Sequence, residues 1–556
     1  MKTIRFARSS FALLLPILVL SSSTALRAQT LASTASLSGV VTDPSAARVA
    51  GASVTLTSQE KGISRAYKTD AEGNFSFPLL PAGVYSLTVQ ASGFKTFKQQ
   101  GIRLEVGEEA TYTATLTIGA TEEVLVTTAP PLLQTENANI GAEISSVQVT
   151  ELPLNLRNVF NFVELNSSVN NLSQRQTISG GGEQGTADQD VSFLNFGGGY
   201  FGTTAFLLDG AWDTSTGWGG VIYVPSPDNV QEFKVQQNSF SAQYGWSTGN
   251  VVNVVTKSGT RSLHGVAYDY LRNGALDANF YFNNLAHLPR PNSHRNQFGV
   301  AGGGPVYIPG IYKQRDKTFW FFQYEGHREN DPLAAPLSTT PIPAFRSGDF
   351  SALLGAATGA TDALCRPVVA GQIYDPFSTR QVTATCGPNS GKTVYIRDPI
   401  AGNKLANSKT GIDPVGQKLV NYYPAPINNQ VTNNWSGTGT GANNSDEFSS
   451  RIDHRIGDKT SIYGRYSYKK ESKAESPAYF GASDPAGPGQ INPNNRWNIA
   501  LGVSQVFTPT FTMSVNLGGM KWIEGNNMQS AGFKPSSLGL PAFIDPSSAQ
   551  FPTIMA

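Results

Sequence analysis

Apolar and polar positions alternate with a period of two along much of this chain, and residues 228–259 show the pattern most compactly. Val230, Phe233 and Val235 recur among polar neighbours, Gly245 and Gly249 mark a corner, and Val251–Val255 closes the unit. Such alternation argues for half-buried strands and the glycines for a turn between them. Upstream, Leu37–Val41, Ser53–Thr57, Arg65–Thr69, Asn74–Phe77, Val84–Gln90, Phe94–Gln100 and Ala110–Thr117 are candidate strands at short, regular spacing. They predict a β-sandwich over 36–118, with an immunoglobulin-like fold as the alternative. One helical pattern stands out: Asn155 can cap a helix in which Leu156, Val159, Phe160 and Val163 share a face.

Beyond Thr260 the alternation becomes regular. Phe448, Ile452 and Ile456 share one face while Arg451, Asp453 and Arg455 share the other. Ile462, Tyr466 and Tyr468 oppose Arg465, Ser467 and Lys469. Trp497, Ile499, Leu501 and Val503 oppose Asn498, Ala500, Gly502 and Ser504. Phe511, Met513, Val515 and Leu517 oppose Thr512, Ser514 and Asn516. Short turns, 457–460 and 508–510, join these strands. A membrane barrel and a soluble sandwich share this period. Trp320, Tyr324, Trp497 and Trp522 near strand ends favour the barrel, as interfacial girdles. An excursion over 331–444, rich in Pro, Gly, Asn and Thr, suits a long extracellular loop.

Charged residues make up 15% of the 556, and the net charge of +1 gives no argument for nucleic acid. Lys2, Arg5 and Arg8 precede the apolar run Phe11–Leu20, the pattern of a secretory signal over 1–28 with cleavage after Ala25 or Ala28. No later stretch approaches ~18 consecutive apolar residues, so membrane crossing by helices is excluded.

The order of motifs resembles that of TonB-dependent outer-membrane receptors of the Oar-like branch. Asn250–Gly259, reading NVVNVVTKSG, resembles the end of their plug domain. Leu207-Leu-Asp-Gly210, Leu152-Pro-Leu-Asn-Leu-Arg157 and Tyr268–Asn273 resemble neighbouring landmarks, as do Tyr374-Asp-Pro-Phe377 and Lys418–Pro426 within the long loop. Gly39–Asp43, Gly51–Leu56, Asp70–Phe75 and Gly83–Leu87 resemble a carboxypeptidase-regulatory-like domain of transthyretin type. The resemblance implies a mainly β protein: the sandwich, an α+β plug over 132–260, and a transmembrane antiparallel barrel over 261–556.

Between sandwich and plug, the linker 121–131 carries Glu122, Glu123, Val124, Leu125, Val126 and Thr127, followed by Pro130 and Pro131. It resembles a TonB box, the segment a TonB-type energising protein in the periplasm captures by strand addition. Capture of that kind needs an extended, accessible backbone more than particular side chains. A plain linker with a stray strand is the alternative. The resemblance implies active uptake of a scarce solute (siderophore, oligosaccharide or peptide), with outer-membrane lipid around the barrel and no cofactor. A secreted or surface β-sandwich protein for adhesion or carbohydrate binding is the competing reading. About seven barrel-type strands follow Thr260 where the family would have ~22, and the chain stops in turn-like sequence, which implies a fragment.

Enzymatic readings find little support. Gly245-Trp-Ser247-Thr-Gly249 matches a nucleophile elbow, but a strand-like run follows it where a helix is required. Gly180-x-Gly182-x-x-Gly185 lacks the flanking strand and helix of a dinucleotide fingerprint. His264, His287, His294, His327 and His454 show no metal-ligand spacing. Cys365 and Cys386, an even count in an exported chain, are expected to be bridged.

Overall fold

In the computed structural model the described residues are 34–552, without 120–122, 127–139, 153, 155–156, 167–168, 172–193, 197–201, 217–218, 238–246, 248–249, 280, 282–283, 285–289, 291, 334–338, 436–438, 477–489, 509–510, 526, 529 and 548. The signal segment, Glu122, Thr127, Asn155, Leu156, the glycine-rich stretches 180–185 and 197–199, Gly245, Gly249 and His287 therefore lie outside them.

The sandwich is built from β1 (Ala35–Thr42), β2 (Ser53–Ser58), β3 (Ile63–Lys68), β4 (Asn74–Leu80), β5 (Gly83–Gln90), β6 (Thr96–Leu104) and β7 (Glu109–Thr115). Their alternating inner residues, among them Leu37, Val54, Leu56, Phe75, Leu87 and Val89, form one buried core. One sheet runs β4-β1-β7. The other gains a member that the sequence reading left in the linker. β8 (Glu123–Val126) adds to the edge, giving the order β3-β2-β5-β6-β8.

The plug sheet has the order β13-β12-β15-β14-β9, from β9 (Ile140–Ser145), β12 (Thr204–Leu208), β13 (Ala211–Trp212), β14 (Val230–Gln237) and β15 (Asn250–Thr256). Between β9 and β12 lie the short strands β10 (Val169–Asn171) and β11 (Leu194–Phe196), paired with each other. β12 and β15 pair in parallel, and every residue of both is buried, which is why β15 reads as an almost unbroken apolar run. A short helix α1 (Ser146–Glu151) starts in a capping box between Ser145 and Gln148.

The expected helix differs from its sequence pattern. It is a 3-10 helix, Val159–Leu165, capped by Asn158, whose side chain accepts from the Phe160 N–H. Arg157 adopts φ 54°, a left-handed conformation that cannot continue a right-handed helix, so the helix starts after it. Its buried Val159, Phe160, Phe162 and Val163 pack with Phe206, Phe233, Val252 and Val254 of the sheet.

The wall is one antiparallel sheet, β16-β17-β18-β23-β24-β25-β26. Its strands are β16 (His264–Asn273), β17 (His294–Pro305), β18 (Thr318–Leu333), β23 (Gly439–Ile456), β24 (Thr460–Ser476), β25 (Gln490–Thr508) and β26 (Phe511–Glu524). Ile452, Ile456, Ile499, Leu501, Phe511, Met513, Val515 and Leu517 point outward and are exposed, while Arg465, Ser467, Asn498 and Ala500 are buried against the plug. That is the apolar-out, polar-in face pattern of a membrane wall. No helix among the described residues is long and apolar enough to cross a membrane.

Two expectations about this region need correction. The excursion is shorter than 331–444, because β18 runs on to Leu333 and β23 starts at Gly439, and the two pair from Thr318 with His454 up to Leu333 with Gly439. Polar residues there hid strands whose backbone pairing does not depend on side-chain alternation. What lies between is structured, with the hairpins β19 (Ala357–Thr361) to β20 (Pro367–Val369) and β21 (Tyr374–Thr383) to β22 (Thr393–Pro399). Cys365 and Cys386 are joined there, with Cα atoms 5.2 Å apart. The second correction concerns Trp522, which faces inward. Its indole Nε1 donates to the buried Asn494, and the Arg496 guanidinium lies 5.4 Å above its ring. Alternation decides this: Trp522 shares a face with Ser514 and Asn516, opposite the exposed Val515 and Leu517.

Candidate functional site

Where plug meets wall, a continuous polar network crosses between the two. Its centre is the two-residue Asp209-Gly210 turn joining β12 to β13, with both residues in the left-handed region at φ 54° and 76°. Asp-Gly is favoured where a hairpin needs two such residues, because glycine pays no steric penalty and aspartate a small one. The turn thrusts the Asp209 carboxylate, with no exposure, toward the wall.

There Oδ1 accepts from the Thr256 N–H at 2.8 Å and Arg451 Nη1 at 2.9 Å, while Oδ2 accepts from Thr256 Oγ1 at 2.8 Å and Arg465 Nε at 2.6 Å. Burial alone would push this carboxyl up. Arg451, Arg465 and the Thr256 hydrogen bonds outweigh it and hold Asp209 below the ordinary aspartate value. The Tyr463 hydroxyl donates to the Asp209 carbonyl at 2.6 Å. Gly502 makes room for that tyrosine, since a Cβ there would sit 2.0 Å from the ring.

Arg465 passes the network on. Its Nη2 donates to Asn498 Oδ1 at 2.6 Å, and Asn498 Nδ2 donates to Asp213 Oδ1 at 2.8 Å. Among the described residues no cation is in direct contact with the buried Asp213. Its pKa is raised to about 8 by burial, against smaller opposing effects of Arg465, Asn498 and the Tyr223 N–H.

Farther along, two wall carboxylates grip the plug segment 223–228. Glu447 Oε1 accepts from the Tyr223 hydroxyl at 2.9 Å and the Ser226 N–H at 3.0 Å. Glu325 Oε2 accepts from Ser226 Oγ at 2.9 Å and the Tyr268 hydroxyl at 2.7 Å. Arg157 closes the cluster, pairing with Asp228 and Glu325 while its guanidinium lies 4.8 and 4.6 Å from the Tyr268 and Tyr270 rings. A cleft beside it, lined by Glu151, Asp269, Arg272 and Arg295 among others, has a volume of about 710 Å³.

Ser247 is held by its own turn, its Oγ donating to the Asn250 carbonyl at 2.6 Å and accepting from the Asn250 N–H at 3.0 Å, ahead of strand β15. Among the described residues no group of His, Cys, Asp and Glu could hold a metal ion. The chemistry on offer is a buried electrostatic lock whose halves lie on the plug and on the wall.

Sequence reading placed Arg451 and Arg465 on the inward face and singled out Leu207–Gly210 as a landmark. It did not assign Asp209, Asp213, Ser226, Glu325 or Glu447 to the interface. The available signal was charge at inward positions of the alternation, where a lumen filled only with water would need no buried ion pair.

The sandwich sits at the short-turn end of the wall. Lys61 Nζ donates to Ser258 Oγ at 2.5 Å, the Arg261 N–H to the Glu60 carbonyl at 3.0 Å, and Arg455 Nη1 to the Gly62 carbonyl at 2.9 Å. Val106, in the turn after β6, donates its N–H to Glu232 Oε1 at 2.6 Å and accepts from Lys234 Nζ at 3.0 Å, both on β14. Of the TonB-box-like stretch, Glu123–Val126 is described and lies along β6 in parallel.

Several stretches of the chain are similar to known proteins. Residues 36–117 match the carboxypeptidase regulatory-like domain. A TonB-dependent transporter, Oar, of Myxococcus xanthus is 23% identical over 290 residues, covering 48% of this chain and 24% of that protein. The chain thus spans about a quarter of the length of the curated relative it matches. Among solved structures, the outer membrane transporter YddB of Escherichia coli matches with a TM-score of 0.39 at 10% identity, over 68% of this chain and 38% of its own. The ferric enterobactin receptor of Pseudomonas aeruginosa matches with a TM-score of 0.35 at 10% identity, over 69% and 41%. Residues 255–556, more than half of the chain, match the outer membrane beta barrel domain, and the chain belongs to that family of Gram-negative outer-membrane proteins.

Proposed function

We propose that this protein is a TonB-dependent outer-membrane transporter that takes up a scarce solute, a siderophore, oligosaccharide or peptide, and makes or breaks no bond itself. The observation that carries the reading is the plug sheet held against the wall through Asp209, Arg451 and Arg465. A plug fixed by a small number of buried ion pairs can be seated or shifted as a body, and a force applied at its N-terminal end is what would shift it. In this reading Glu122–Thr127 is the docking strand for a TonB-type periplasmic protein. The name of the Myxococcus relative supports the same assignment.

Proline at Leu125 removes a backbone donor and constrains φ, whereas threonine keeps an extended strand. Leu125→Pro should therefore abolish uptake and Leu125→Thr should leave most of it. Cells deleted for the gene, tested for growth on single nutrient sources, would identify the solute class. Full growth on every source, together with equal tolerance of the two Leu125 variants, would defeat the reading.

A further inference from the structure

At the short-turn end of the wall one connection is unlike its neighbours. β23 and β24 are joined through 457–459, whereas β17 and β18 are joined through 306–317. The longer connection folds as a small hairpin. The Val306 N–H donates to the Thr318 carbonyl at 2.8 Å, and Ile308 and Tyr312 exchange N–H to carbonyl bonds at 2.8 Å each, turning through Gly310 at φ 81°. Its base is pinned to β23. The Arg455 N–H donates to the Lys317 carbonyl at 2.9 Å, and the Arg455 guanidinium donates to the Asp316 carbonyl.

The tip of this hairpin is apolar and open. Ile311 is 83% exposed, and Tyr307 and Ile308 are exposed beside it. The hairpin also lies on the lipid side of the wall. The Tyr312 hydroxyl is 2.6 Å from Thr318 Oγ1, which is 2.7 Å from His454 Nδ1. Thr318 stands two residues before Trp320 and pairs with His454, and His454 stands between the exposed Ile452 and Ile456, so both share the outward face. Cations flank the tip: Lys313, Arg315 and Lys317 follow it in sequence, and the Arg315 guanidinium lies 4.2 Å from the centre of the Tyr307 ring. The turn's one acidic residue, Asp316, also faces Arg455, so the turn keeps a surplus of positive charge.

We propose that the 306–317 hairpin is a lipid anchor that binds anionic phospholipid in the periplasmic leaflet of the membrane. Ile308 and Ile311 enter the acyl boundary, the tyrosines sit at headgroup level, and Lys313, Arg315 and Lys317 contact the lipid phosphates. Tyr312, Thr318 and His454 make the hairpin continuous with the lipid-facing band of the wall. Its composition is that of an interfacial segment, since tyrosine and long cationic side chains keep one end in hydrocarbon and the other in water. Basic residues beside an apolar anchor favour anionic over neutral headgroups. A planar guanidinium stacked on Tyr307 still presents its N–H edge to a phosphate. A second copy of the chain or a periplasmic protein would also find the apolar tip, but neither requires the hairpin to lie on the outward face.

The test uses the whole receptor with Ile311→Cys, labelled by an environment-sensitive fluorophore. Cys365 and Cys386 are joined, so labelling without reductant goes to position 311. The protein is reconstituted into vesicles of phosphatidylethanolamine, alone or mixed with phosphatidylglycerol, and probed with brominated lipid and with a neutral water-soluble quencher. In mixed vesicles bromolipid should quench the label and the aqueous quencher should reach it poorly. Leaving out phosphatidylglycerol should cut bromolipid quenching by roughly threefold or more. High salt should cut it similarly in mixed vesicles, because salt screens the headgroup attraction and leaves apolar contact in place. The combined Lys313→Gln, Arg315→Gln, Lys317→Gln variant should behave in mixed vesicles as the parent does without phosphatidylglycerol. Quenching from water and none from lipid would overturn the anchor. Shielding from both quenchers would put a protein on the tip and overturn it as well. Equal bromolipid quenching in the two vesicle types would leave an apolar contact without headgroup recognition, and would also overturn the proposal.

Discussion

Arg465 donates from Nε to Asp209 Oδ2 across 2.6 Å, and neither side chain has any exposure to solvent. One belongs to the wall and the other to the plug, 256 residues apart in sequence. Removing one partner of such a pair leaves a buried charge unmatched, at a cost of roughly 3–5 kcal/mol, more than most surface pairs contribute in total. Asp209→Ala should therefore make the plug far more open to limited proteolysis and urea. The Asp209→Leu, Arg465→Met double variant should recover part of the loss, with Arg451 still facing the turn. Equal sensitivity of wild type and single variant would show that the pair does not hold the plug.

Docking should depend on pH through Asp213. Its pKa in the folded chain, about 8, lies above the ordinary aspartate value, so the neutral acid is the form that fits the interface. A raised pKa gives a contribution fully present below the ordinary value and lost progressively as pH rises through the folded value. Hydrogen-exchange protection of β12–β15 amides, corrected for intrinsic exchange rates, should fall between about pH 4 and pH 8 and level off above. In Asp213→Asn, which cannot ionise at that position, this slope should be shallower. A slope of the same size in both proteins would assign the effect to other groups.

Gly502 gives Tyr463 the space to reach the Asp209 carbonyl. Gly502→Ala should displace the ring and destabilise the interface by about 1–3 kcal/mol, the range for overpacking. The same change at Gly519, where a Cβ would meet nothing within 4 Å, serves as the control and should be nearly silent. Thermal melts in detergent compare the two, and similar losses at both sites would remove the steric explanation.

Thiol labelling of denatured, unreduced protein should find no free cysteine, since Cys365 and Cys386 are joined across 21 residues of the long loop. Cys365→Ser should loosen the loop by about 2–4 kcal/mol, as expected for opening a closure of this kind. Protease cuts within 356–399 should then appear at lower enzyme concentration while cuts in the wall stay unchanged. Two labelled thiols in freshly isolated membrane would contradict the bridge.

The sequence by itself determined the faces. A period of two leaves each strand residue one of two sides, so Ile452 and Leu517 outward and Arg465 and Asn498 inward follow from alternation alone. It also determined the sandwich strands, because turn residues cut them to length. The pattern misled in two ways. Where both faces were polar, as at the upper ends of β18 and β23, pairing went unseen; and Trp522 was assigned by residue type although its position put it inside. Only the tertiary structure decided which charges met. Asp209 could be read as a turn residue and Arg465 as a lumen residue, but their contact joins segments whose separation no local period encodes. The seat of Glu123–Val126 on β6 belongs to the same class. Strand addition is made through backbone groups that every residue carries, so the choice of edge rests on proximity and an open neighbour, which only the folded chain supplies.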